Sequence, residues 1–230
     1  MHKIPLRENF FEGVYSLISS SLSPFFLKTS VTPNQMTVAS GIFGVIGSIM
    51  LISESYLNLI IAAIFLQIYT ILDLVDGDIA RAKNMQSNFG MWLDIFFDKL
   101  IDFLIIISLT LGVYFKTDEP LFLIYGICLM GLVFSIQFIM VLNDTYFKDK
   151  RSSTKEFIDK NVEINKIMVK FVSPIFIFFR KHLSMQHTTF TFLVSVIAAI
   201  GQNKNGLIFL TFYSLFSLMV SSVINFYQIK

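Results

Sequence analysis

Four aspartates in an otherwise apolar stretch carry the chemistry of this chain: Asp73 and Asp76, three residues apart, and Asp94 and Asp98, four apart. Spacings of three and four place side chains one turn apart on one helix face. Each pair therefore forms a stripe, and facing stripes on two adjacent helices would converge on one spot. Ionisable groups at membrane depth are expensive, about 2.5–3.5 kcal/mol each on insertion scales, so such a gathering demands positive charge. Between Leu72 and Phe103 there are six acids (Asp73, Asp76, Asp78, Asp94, Asp98, Asp102) against three bases (Arg81, Lys83, Lys99), which argues against buried salt bridges as the reason for the cluster. Hard oxygen ligands at this density suit Mg²⁺, Mn²⁺ or Ca²⁺, and the absence of nearby Cys or His argues against zinc. Four carboxylates exceed what one Mg²⁺ takes from protein, so two ions are expected.

The neighbouring residues fit a ligand beside the carboxylates. Gly77 has no side chain, which lets a ligand approach the backbone closely. Ala80 is small and on the same side of the helix as Asp73 and Asp76, and Arg81 brings a fixed charge for a carboxylate or a phosphate. Gly90, Asp94 and Asp98 recur every four residues, and Asp102 continues that stripe one turn deeper, where pairing with Lys99 is expected. Asp78 points off the Asp73–Asp76 face and is expected in solvent. His182 and His187 flank the start of the fifth apolar run and are read as interfacial or capping residues. The single cysteine, Cys128, cannot form an intrachain disulfide and is read as a small buried hydrophobe.

The elements that position these residues belong to a membrane. A mean hydropathy of +0.68 and 54% hydrophobic residues, including 26 Phe, lie outside the habits of soluble domains. Six apolar runs approach the length of about 20 residues that crosses a bilayer: 36–52, 57–74, 91–114, 121–142, 185–200 and 206–227, the fifth the shortest. The expected fold is an all-α integral membrane protein of six transmembrane helices, one membrane domain over 1–230. Before the first span, at about 8–28, Phe10, Phe11, Val14, Ile18, Leu22 and Phe25 share a helical face opposite Asn9, Glu12, Ser16, Ser19 and Ser20. That is an interfacial amphipathic helix, which Pro24 should kink or end. Thr32 and Pro33 supply an N-cap and first residue for the first span.

Charge sets the orientation. With the N-terminus cytoplasmic, the inner side receives Lys3, Arg7, Lys28, Arg81, Lys83, the basic run 148–181 and Lys230, while the outer loops carry only Lys116 and Lys204. This positive-inside bias puts both termini and the aspartates at the cytoplasmic face of the inner membrane. A net charge of +2 thus marks the inner face and anionic headgroups, not nucleic acid. No cleavable signal peptide is expected. Residues 173–181 echo 23–28 as a basic-ended segment before a span. The polar loop 143–170 reads as a cytoplasmic connector, with Lys148, Lys150 and Arg151 as alternative candidates for attracting a phosphate-bearing substrate.

The stretch from Asp73 to Asp98 fills every fixed position of the pattern D-x2-D-G-x2-A-R-x8-G-x3-D-x3-D, and in this it resembles the CDP-alcohol phosphotransferases. The resemblance implies six transmembrane helices after an interfacial helix, a homodimer, and a CDP and metal site at the cytoplasmic membrane face. By the same resemblance, Asp73, Asp76, Asp94 and Asp98 are metal ligands for Mg²⁺ or Mn²⁺, and Asp98 is also the catalytic general base. Asp73, Asp76, Gly77, Ala80, Arg81, Gly90 and Asp94 would hold the CDP moiety. The implied reaction is attack of an acceptor hydroxyl on the β-phosphorus of a CDP-linked alcohol, releasing CMP. The compact chain resembles bacterial or archaeal members, which pass a phosphatidyl or archaetidyl group to a small polar acceptor. The basic run favours a polyol phosphate, inositol phosphate or glycerol phosphate, over serine. Alternatives are a Mg²⁺-dependent membrane prenyltransferase, which also pairs aspartates around a diphosphate, and a cation transporter with intramembrane acids.

Overall fold

The structure, a computed structural model, describes residues 10–53, 55–146 and 186–229. Seven helices run through these residues: α1 Phe10–Leu27, α2 Pro33–Met50, α3 Tyr56–Ala82, α4 Asn88–Thr117, α5 Leu121–Tyr146, α6 His187–Ile200 and α7 Asn203–Ile229. No strand occurs among the described residues. Helices α2 to α7 fall on the six expected apolar runs. The whole of α3 (Tyr56–Ala82) and parts of α5 and α7 (Leu121–Leu142 and Asn203–Ser222) are long and apolar enough to cross a membrane, and α6 is a shorter apolar helix. Lys148, Lys150, Arg151, residues 173–181, His182 and the first residue of the expected fifth span lie outside the described residues.

Local sequence sets the helix starts. The Gln35 N–H donates to Thr32 Oγ1 and the Gln35 side chain accepts from the Thr32 N–H, closing a capping box ahead of Pro33. Ser87 caps α4 by accepting from the Gly90 N–H at 3.0 Å. Helix α1 continues through Pro24 to Leu27.

Between lipid-bathed helices there is no hydrophobic gain from mutual burial, so association rests on close contact and interhelical hydrogen bonds. Helix α2 shows how: its buried residues include Ser40, Gly41, Gly44, Gly47 and Ser48, and it lies along both α3 and α4. A Cβ on Gly44 would sit 2.8 Å from Ile101 Cδ1 and 3.1 Å from Tyr69 Cγ; only a glycine admits α3 and α4 that closely. The interior continues through Leu66, Ile105, Leu109, Leu129, Ile136, Phe190 and Val194. The outer surface is apolar as well: Ile42, Ile49, Ile64, Ile127, Phe138 and Phe212 are each more than half exposed. A lipid environment accommodates that surface, whereas water would not. Cys128 lies on this outer surface and is not buried as expected, because α5 turns that face away from its helical neighbours.

The two ends of the bundle are tied differently. At one end Lys204 reaches Glu119 at 3.2 Å and lies 5.0 Å over the Phe122 ring, joining the α6–α7 and α4–α5 turns. At the other, the Lys83 ammonium donates to the carbonyls of Thr29 and Val31, each at 2.8 Å, tying the end of α3 to the α1–α2 connection. Helix α1 presents its polar side inward: Tyr15, Ser19 and Ser23 are buried while Phe10, Val14, Leu17 and Phe25 face out. Tyr15 donates to Gln67 Oε1, and burial pushes its hydroxyl up to about 12, so it stays a donor at any working pH.

Candidate active site

The ends of α3 and α4 bring Asp73, Asp76 and Asp94 together, with one carboxylate oxygen of each within 4.8 Å of the others. They converge because the i, i+3 pair on α3 faces the start of α4 across the short 83–87 connection. Thr37, from the second turn of α2, donates to Asp76 Oδ2 at 2.5 Å. Beside this cluster a cavity of about 450 Å³ is lined by Asp76, Gly77, Ala80, Arg81, Gly90 and Asp94, joined by Asn34, Thr37, Met85 and Gln86. Six of the residues expected to hold a ligand therefore share one cavity wall, and Asp73 stands behind it in the cluster.

Two glycines keep the cavity open. A Cβ on Gly77 would have the Arg81 guanidinium as its nearest contact, at 3.4 Å, so its absence leaves free space beside that charge. A Cβ on Gly90 would lie 2.9 Å from Asn34 Oδ1 and 3.1 Å from Ser87 Oγ, crowding the cap that starts α4.

The donor set fits a hard divalent cation. Asp73 Oδ1 is buried and has no hydrogen-bond partner among the described residues, an arrangement that costs several kcal/mol for an uncompensated charge. The nearby cations among the described residues are engaged elsewhere. Arg81 bonds Asp78 at 2.5 Å, Lys83 holds the two carbonyls named above, and Lys99 donates to Gln137 Oε1 at 2.7 Å. The carboxylates thus meet close together with no cation among the described residues bonded to Asp73 Oδ1, and oxygen-only donors are the ligands Mg²⁺ and Mn²⁺ take.

Asp98 belongs to a second set. Its Oδ1 accepts from the Tyr69 hydroxyl at 2.9 Å and lies 3.3 Å from His187 Nε2. Asp102, fully buried, does not pair with Lys99 as expected: Gln137 Nε2 donates to Asp102 Oδ2 at 2.6 Å and His187 Nδ1 meets Asp102 Oδ1 at 2.7 Å. Lys99 and Asp102, three apart, instead bond opposite ends of one amide, that of Gln137 on α5. Asp78 is likewise not in solvent; its Oδ2 accepts from Ser19 at 2.9 Å and Ser23 at 3.1 Å, because α1 covers that face of α3. His187 is not the cap of α6, which is Gln186, and it sits between Asp98 and Asp102. The sequence did not mark Thr37, Tyr69 or Gln137, nor the place of His187 beside the aspartates; none falls within the aspartate stretch, and buried polar side chains on apolar helices were the available signal.

The described residues thus form a helical bundle with an apolar outer surface and an acidic cavity at one end. The family described as CDP-alcohol phosphatidyltransferase matches residues 30–224. The chain belongs to this family of phosphotransferases of phospholipid synthesis, which sets aside the prenyltransferase and transporter alternatives. It is 34% identical over 94 residues, 41% of this chain and 21% of the relative, to a bifunctional IPC transferase and DIPP synthase of Aquifex aeolicus. It is 36% identical over 97 residues to an archaetidylinositol phosphate synthase of Pyrococcus horikoshii, covering 42% of this chain and 50% of that one. A phosphatidylinositol phosphate synthase of Corynebacterium glutamicum is 28% identical over 117 residues, 50% of this chain and 52% of the relative. The match thus spans between about a fifth and about half the length of these relatives.

Proposed function

We propose that the chain transfers a phosphatidyl or archaetidyl group from a CDP-linked lipid to a hydroxyl of a small polyol phosphate, with release of CMP. The observation that carries this reading is the convergence of Asp73, Asp76 and Asp94 on a cavity lined by Gly77, Ala80, Arg81 and Gly90. The relatives named for inositol phosphate products favour inositol phosphate as the acceptor over glycerol phosphate.

The residues divide the work. Asp73, Asp76 and Asp94, with Asp98 adjoining, hold Mg²⁺ or Mn²⁺, two ions in this reading. When bound, the metal neutralises the diphosphate of the donor and stabilises charge on departing CMP. Gly77 and Gly90 admit the nucleotide to the backbone, Ala80 leaves it room, and Arg81 offers a guanidinium at the cavity wall. Asp98 accepts the proton of the acceptor hydroxyl. The acceptor oxygen forms a bond to the β-phosphorus, the bond from that phosphorus to the bridging oxygen breaks, and CMP leaves with the electron pair. Six spans in one domain over 1–230, a homodimer, and a site and termini on the cytoplasmic side of the inner membrane complete the proposal. Helix α1, with its phenylalanines outward, lies in the interface where the donor's tails stay in lipid and its headgroup meets water.

The test is CMP release by purified protein given CDP-diacylglycerol or its archaeol counterpart and, in turn, inositol phosphate, glycerol phosphate, serine or no acceptor. Release with a polyol phosphate and none without an acceptor is expected. Release with serine alone, or equal release without acceptor, would overturn the reading.

A further inference from the structure

The interior side of Asp98 is built with more polar groups than a transmembrane bundle needs. Asp102 is fully buried, and a carboxylate there is tolerated only when its oxygens are taken up. Both are: Oδ2 by Gln137 Nε2 at 2.6 Å and Oδ1 by His187 Nδ1 at 2.7 Å. Gln137 is fixed in turn by the Lys99 ammonium on its carbonyl oxygen, so its NH₂ points at Asp102. The bond from Asp102 sets the imidazole so that Nε2 faces outward, 2.9 Å from the Tyr69 hydroxyl and 3.3 Å from Asp98 Oδ1. Tyr69, fully buried on α3, donates to that same oxygen at 2.9 Å. The chain Lys99–Gln137–Asp102–His187–Asp98 draws on α4, α5 and α6 and ends on one carboxylate oxygen. The Asp98 carboxylate is thereby held from its inner side through Oδ1.

We infer that His187, oriented by Asp102 and Gln137, is a positioning residue that, together with the Tyr69 hydroxyl, fixes the Asp98 carboxylate for proton acceptance from the acceptor hydroxyl. This rests on the reading of Asp98 as the base. Helix α6 would then join the active site from outside the aspartate stretch. Partners that orient a functional carboxylate or imidazole typically matter by about 10–100-fold in activity, and a placement error of about 1 Å is enough for losses on the order of 100-fold.

The experiment compares H187Q, D102N, their double mutant and D98N, with CDP-diacylglycerol as donor and inositol phosphate as acceptor. Turnover is read by CMP release, nucleotide affinity by calorimetry with CDP and Mg²⁺, and integrity by melting temperature in detergent. H187Q and D102N should each lower kcat about 10–100-fold while the dissociation constant for CDP stays within about threefold. The double mutant should be no slower than the worse single, since both changes loosen one linkage. Losses that multiply, an unchanged kcat, or CDP affinity falling in step with kcat would overturn the inference. If H187Q does not fold, the isosteric D102N decides by the same split of kcat from affinity. Full turnover in D98N would instead refute the base assignment, an outcome separate from any result at His187.

Discussion

Asp94 and Asp98 stand one turn apart on α4, yet their surroundings are opposites. Asp94 joins Asp73 and Asp76 beside an open cavity, in a group where Asp73 Oδ1 lacks any hydrogen-bond partner among the described residues. Asp98 faces a closed network in which Tyr69, His187, Asp102, Gln137 and Lys99 meet one another's donors and acceptors. A buried polar network of this kind specifies one arrangement when fully satisfied. A buried carboxylate oxygen without a partner among the described residues, as Asp73 Oδ1 is, fits a ligand that brings positive charge. The two regions therefore divide binding from positioning within two turns of helix.

Removing metal is the most severe way to test the binding side. EDTA should take CMP release below detection, with Mg²⁺ or Mn²⁺ restoring it; sustained turnover in chelator would leave the cluster without its assigned role. Next in size, D73N and D94N should weaken CDP binding and turnover together, each by more than the about 10–100-fold typical of outer-shell partners. Calorimetry with Mg²⁺ and CDP checks this, and intact affinity in either variant would remove that residue from the binding set.

Stability gives the comparison a sign. In metal-free protein D73N replaces a buried carboxylate whose Oδ1 has no partner among the described residues, so its melting temperature in detergent should match or exceed that of the parent. D102A strands His187 and Gln137 and should cost about 3–5 kcal/mol, the usual penalty for breaking a buried charged pair. Equal changes in the two variants would erase the distinction between the regions. The smallest effect is expected at α1, where S19A and S23A each lose a hydrogen bond to Asp78 worth about 0.5–1.5 kcal/mol, measurable as a small fall in melting temperature with turnover retained.

Much of this was legible in the chain because it depends on local spacing. The Thr32 N-cap with Pro33 after it, helices over the expected apolar runs and the two aspartate stripes all follow from residues within a few turns of one another. Asp102 shows where that reasoning stops. Lys99 lies within reach three residues away, but the pairing is decided by which neighbours α5 and α6 bring, and those supply Gln137 and His187. Asp78 teaches the same lesson from the surface: the serine stripe of α1 was readable as a polar face, but only packing reveals that it meets α3. Tyr69, on an apolar helix, carried no local mark of its partner on α4.

The central claim, that Asp98 accepts the proton while Asp73, Asp76 and Asp94 hold the donor, is tested most directly by D98N. Asparagine keeps the size of the side chain and a hydrogen-bonding oxygen but cannot take the proton. Nucleotide binding by calorimetry and turnover by CMP release are measured on one purified preparation. Turnover should fall by about 10²–10⁴ while the affinity for CDP in Mg²⁺ stays close to that of the parent. Affinity collapsing in parallel with turnover would contradict the account, making Asp98 chiefly a metal ligand and placing the proton acceptor elsewhere.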